Sequence, residues 1–149
     1  MKLKVDHIGI CVERLDQSII DFYTKIIGCE VPKQIFHLKD DMEDIKYVHM
    51  RLADNYVELF EPRKGTWRNF LERNGSGSIG ELCFEVENIE QFYDMMREKG
   101  ITLVDMEGKP LTPDRKWCVV PGDGNRYAYM PKDKTHGTCI EIVEHSAWR

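Results

Sequence analysis

Apolar runs in this 149-residue chain never exceed a few positions, far short of the ~20 that cross a bilayer as a helix. Dense basic clusters are missing too, and a formal net charge of -5 with a pI near 5.6 argues against a general nucleic-acid or anionic-membrane binder. No C-x-x-C pair occurs. The five cysteines, Cys11, Cys29, Cys83, Cys118 and Cys139, are odd in number and widely spaced, which fits reduced buried thiols and neither a zinc site nor a disulfide framework. Gly122-Asp123-Gly124 is followed by no helical pattern, so it reads as a turn and not as a phosphate loop. Met1-Lys2-Leu3-Lys4 leads into a strand pattern instead of a signal peptide, and a cytoplasmic protein is expected.

What the chain does contain is a repeat. Val5-Asp6-His7-Ile8-Gly9-Ile10-Cys11-Val12 opens the first half, and Ile79-Gly80-Glu81-Leu82-Cys83-Phe84-Glu85-Val86 opens the second. Each precedes a helical pattern, and each half closes on a strand with a central glutamate, Val57-Glu58-Leu59-Phe60 and Ile140-Glu141-Ile142-Val143. Strand side chains alternate between faces, so Ile8, Ile10 and Val12 suit a helix while His7, Gly9 and Cys11 face the other way. Leu82, Phe84 and Val86 repeat the apolar set, with Glu81, Cys83 and Glu85 opposite. His7, Glu58, Glu81 and Glu141 therefore occupy the polar faces of four strands at matching places, and they converge if the two halves pair their sheets.

The remaining pattern places the elements. Leu15, Ile19, Phe22, Tyr23 and Ile26 predict a helix over 15–27, stopped by a left-handed Gly28. Strands are expected over 29–36, 45–52 and 56–60, with a polar loop over 37–44 and a tight turn at Ala53-Asp54-Asn55. Pro62 begins a linker with a short helix over 66–73, carrying Trp67, Phe70 and Leu71 on one side. Asn88 caps a second helix whose stripe is Ile89, Phe92, Tyr93 and Met96, ending at Gly100. Three further strands are expected over 101–105, 125–130 and 138–144, and the Pro-, Gly- and charge-rich stretch 107–123 reads as a lid. The expected organisation is a single domain of two modules, 1–62 and 78–149, joined by a linker over 63–77.

The residues Asp6-His7-Ile8-Gly9-Ile10, Phe22-Tyr23, Glu58-Leu59-Phe60-Glu61-Pro62 and His136 through Glu144 resemble the vicinal oxygen chelate superfamily, the glyoxalase, bleomycin-resistance and dioxygenase group. The segments Phe70 to Gly75 and Glu85 to Ile89 are most similar to methylmalonyl-CoA epimerases. The resemblance implies an α+β fold in which two tandem βαβββ modules form a curved mixed sheet around a cleft. It also implies a divalent metal site made of His7, Glu58, Glu81 and Glu141, with Glu81 standing where the family has histidine. One imidazole and three carboxylates favour hard ions such as Mn²⁺, Mg²⁺, Fe²⁺ or Co²⁺, with Ni²⁺ and Zn²⁺ also in range.

The implied activity is an epimerase or isomerase that removes a proton next to a carbonyl through a metal-stabilised enolate. By the resemblance Glu141 serves as ligand and as one base. The family's second base is a glutamate on the strand that here reads Ile45-Lys46-Tyr47-Val48-His49-Met50-Arg51, so Tyr47 or His49 takes its place, and His49 is the better suited because its pKa lies near working pH. Two alternatives stand beside this: a glyoxalase I-like lyase, and a metal-free binding protein of the resistance type with Trp67, Trp117, Tyr127 and Tyr129 lining its cleft. Lys109, Arg115, Lys116, Arg126 and Lys132 are available to an anionic substrate such as an acyl-CoA. A homodimer is expected.

Overall fold

The computed structural model describes residues 1–120 and 123–146, and the chain divides into two compact units: His7–Gly80, and Met1–Asp6 together with the chain from Glu81 onward. Each unit carries a four-stranded mixed sheet backed by helix, which makes the fold α+β. Among the described residues no helix is long and apolar enough to cross a membrane.

The first unit takes β1 (Lys4–Cys11, from His7), α1 (Gln17–Asp21), a π-helical turn (Phe22–Ile27), β2 (Phe36–Lys39), β3 (Asp44–Leu52), β4 (Asn55–Lys64) and α2 (Thr66–Asn74). β1 runs parallel to β4, while β3 pairs antiparallel with both β4 and β2. Alternation decides what is buried where. Val12, Val48, Met50 and Leu59 form the core under the helix, with Ile10, Ile19, Tyr23 and Val57 packed on it. Ile8 has the right parity for that core but is 43% exposed. The Asp16 side chain accepts from the Ile19 N–H to start α1, and Gly28 at φ 96° ends the π turn, as its lack of a Cβ allows.

The second unit has β5 (Ser78–Glu85, from Glu81), α3 (Ile89–Glu98), β6 (Cys118–Val119), β7 (Arg126–Tyr129) and β8 (Ile140–Glu144). β5 is parallel to β8, and β7 is antiparallel to β8 and β6. The predicted stripe Ile89, Phe92, Tyr93 and Met96 is buried in full, packed with Leu103, Leu111, Ala128 and Ile142. Asn88 Oδ1 accepts from the Gln91 N–H at 2.9 Å, as its place before the stripe predicts.

Four predicted elements differ. No strand forms over 29–35: Pro32 removes a ladder donor and Val31 and Ile35 are exposed, so the strand is instead β2, which starts at the last residue of the expected strand and runs into the expected polar loop. β4 does not stop at Pro62. It continues to Lys64 because a register shift at Asp44/Ile45 absorbs the proline, at a point where β1 has already ended. The expected strand over 101–105 shrinks to a bridge at Val104, since Asp105 Oδ1 turns the chain by accepting from the N–H groups of Glu107 and Lys109. The expected lid is anchored. Leu111 and Cys118 are buried against α3, and the Tyr93 hydroxyl donates to the Leu111 carbonyl at 3.3 Å. Pro121 and Gly122, the latter part of the expected Gly122-Asp123-Gly124 turn, lie outside the described residues.

Candidate functional site

Register fixes which side chains share the polar face of the first sheet. Gly9 of β1 and His49 of β3 both stand opposite Glu58 of β4, with His7 opposite Tyr56 one step along. Because Gly9 has no side chain, the Glu58 carboxylate has two imidazoles for neighbours. Its Oε2 lies 2.5 Å from His49 Nε2 and 3.5 Å from His7 Nε2, and the two rings sit 5.0 Å apart. All three side chains are largely buried, and their ligand atoms lie within 4.8 Å of one another. Aromatic rings frame them. Tyr47 is stacked on Phe36 at 5.1 Å and lies 5.5 Å from the His49 ring, which in turn is 6.2 Å from Tyr56.

The second unit repeats this register with different chemistry. Cys83 of β5 and Tyr129 of β7 both stand opposite Glu141 of β8. Tyr129 thus occupies the place of His49, and its hydroxyl donates to Glu81 Oε2 at 3.3 Å. Burial, and then the charges of Glu81 and Glu141, hold the Tyr129 phenol well above its ordinary pKa. The Cys139 thiol is pushed up by burial and by Glu81 and Glu141, against the opposing pull of Lys132. Both groups therefore stay protonated beside the two glutamates. A cavity of about 340 Å³ opens next to them, lined among others by Tyr129, Cys139, Lys132, Met130 and Val104.

Of the five predicted site residues, the structure brings His7, His49 and Glu58 together in the first unit, and it sets Glu81 and Glu141 around Tyr129 in the second. The sequence offers Tyr129 only as a cleft-lining aromatic of the binding-protein alternative and not as a partner of the glutamates, because an aromatic on a strand ordinarily means packing. Its signal was there in the alignment of the two repeats, which matches Tyr129 with His49. The predicted cations are mostly engaged. Lys116 bridges Glu90 and Asp94, Arg126 pairs with Glu144 and lies over Trp117, and Arg115 donates to the Cys118 sulfur, whereas Lys132 lines the cavity. Trp67 is core, edge-on to Phe60 and Phe70, and Tyr127 is buried as well.

The donor chemistry fits a divalent ion. His7 and Glu58 are unlike donors facing each other at 3.5 Å out of bulk water in the first unit, and in the second Glu81 and Glu141 carry carboxylate oxygens of the kind hard ions take.

A family model described as the Glyoxalase/Bleomycin resistance protein/Dioxygenase superfamily matches residues 6–119. The chain belongs to this superfamily. It is 26% identical to the mitochondrial methylmalonyl-CoA epimerase of Dictyostelium discoideum over 95% of its own length and 78% of that protein. It is 27% identical to the human mitochondrial methylmalonyl-CoA epimerase over 72% of its length, a match spanning 64% of the human protein. The crystal structure of methylmalonyl-CoA epimerase from Mycobacterium tuberculosis aligns with a TM-score of 0.77 at 22% identity, covering 95% of this chain and 87% of that one, a likeness of fold.

Proposed function

We propose that this chain is a metal-dependent epimerase or isomerase that moves a proton at the carbon beside a thioester carbonyl, with an acyl-CoA of the methylmalonyl type as substrate. The observation that carries the reading is the repeated register, in which Glu58 lies opposite His49 and Glu141 opposite Tyr129, with an open cavity beside the second pair. The similarity to proteins named methylmalonyl-CoA epimerase supports it. His7, Glu58, Glu81 and Glu141 would hold the ion, which when bound supplies a Lewis acid that favours the enolate over the thioester.

The chain's own residues do the rest. The substrate C–H bond breaks as its proton passes to the Glu141 carboxylate, and a proton returns to the opposite face of the planar carbon from the His49 imidazolium. Tyr129, kept neutral by its surroundings, donates to Glu81 and fixes that carboxylate. Lys132 on the cavity wall offers its ammonium to a substrate carboxylate or phosphate. We also propose that the protein is a homodimer.

The test is deuterium incorporation at C2 of methylmalonyl-CoA in D₂O, read by mass spectrometry. The wild type is expected to exchange, and Glu141→Gln to lose about a hundredfold or more of that rate. A wild type that leaves C2 unlabelled would rule the reading out.

A further inference from the structure

The first unit contains more ligand chemistry than the four-residue set uses. Two imidazoles aim their Nε2 atoms at a single carboxylate oxygen, at 2.5 Å from His49 and 3.5 Å from His7. Two donors bound at right angles to one ion, each about 2.1 Å from it, lie about 3.0 Å apart, and the two observed separations bracket that value. We infer that His49 is a metal ligand, so that His7, His49 and Glu58 form a triad of two histidines and one carboxylate within His7–Gly80. The inference rests on the metal reading above and replaces the acid–base role given there to His49.

Two observations converge on it. The three ligand atoms fall within 4.8 Å of one another on neighbouring strands of one sheet. The pairing of Gly9 with Glu58 leaves the carboxylate accessible from both flanking strands. The chemical consequence is a change in metal preference. Two imidazoles and one carboxylate favour Fe²⁺, Co²⁺, Ni²⁺ or Zn²⁺ over Mg²⁺, whereas one imidazole and three carboxylates favour the harder ions.

The test counts ligands without using activity. Full-length protein stripped with chelator is loaded with Co²⁺, and hyperfine-shifted exchangeable imidazole N–H signals are counted by proton NMR in H₂O and D₂O. Each bound histidine contributes one such signal. Two are expected in the wild type and one in His49→Gln, whose Co²⁺ affinity by calorimetry should fall about a hundredfold or more, beyond the loss typical of a residue behind the ligands. The wild-type count needs no variant, so it stands even if His49→Gln folds poorly. A single signal in the wild type, or two that both persist in His49→Gln, would overturn the assignment and leave the metal reading standing with His49 as acid or base. No Co²⁺ binding by the wild type would overturn both.

Discussion

Tyr129 and His49 hold the same register position in the two repeats, yet one is a phenol and the other an imidazole. The phenol is the one whose protonation the surroundings dictate. Burial and two carboxylates raise its pKa in the folded state, so the native protein keeps this proton at pH values where the unfolded chain has lost it. The stabilisation is complete below about pH 10, the ordinary tyrosine value, and is lost as pH rises from there toward the folded pKa. Urea unfolding across pH 9 to 11 should show stability falling with alkali, with a shallower fall in Tyr129→Phe. Equal slopes for the two proteins would reject the assignment. This behaviour was not readable from the sequence, because a tyrosine between Ala128 and Met130 looks like any strand aromatic. The polar faces, by contrast, followed from alternation: His7, Glu58, Glu81 and Glu141 each share a strand with apolar residues of opposite parity, and period two leaves them one side to occupy.

Helix entry is built the same way in both repeats. Three residues beyond Glu58, Glu61 Oε2 accepts from the Leu15 N–H at 2.7 Å, and three beyond Glu141, Glu144 Oε2 accepts from the Ile89 N–H at 2.8 Å. An offset of three reverses the strand face, so one glutamate of each E-x-x-E lies on the polar face while the other anchors the start of a helix. Glu144→Ala should lower stability by about 1.5–3 kcal/mol, the range for a hydrogen bond to a charged group, with Co²⁺ binding retained. Urea denaturation followed by circular dichroism checks the first expectation and calorimetry the second. A variant as stable as the wild type would show the contact to be incidental. Both motifs stood in the sequence, but only the placement of Leu15 and Ile89 reveals the partners. The helices were legible through their apolar stripes, the Asn88 cap and the stops at Gly28 and Gly100, whereas the Asp16 cap emerges only in the structure; Gly28 and Gly100 each lie twelve positions beyond their cap (28 − 16 and 100 − 88). Short strands were not. β2 and β6 have four and two residues, too few to establish a period, and Val31 and Ile35 alternate without finding a core.

For the chain as an assembly, the proposed homodimer makes a direct prediction. Phe22, Ile26 and Ile27 of the π turn, together with Val31 and Ile35, are exposed apolar side chains in the first unit, the kind of surface that association covers. Sedimentation equilibrium at micromolar concentration should return twice the chain mass, and Ile26→Glu, at a position 72% exposed, should shift the distribution toward monomer without unfolding the protein. A wild type sedimenting as a monomer would remove the dimer. A different consequence follows from the contact between His145 Nε2 and Asp6 Oδ1 at 2.7 Å, joined in the same unit by Lys4 on Glu85 at 2.9 Å. Asp6 and His145 are 139 positions apart. At ~5–20 residues per second a ribosome needs about 7 to 28 s between making one and making the other. Through that interval Asp6 has been translated and His145 has not, so this contact cannot form until the long stretch between them has been made.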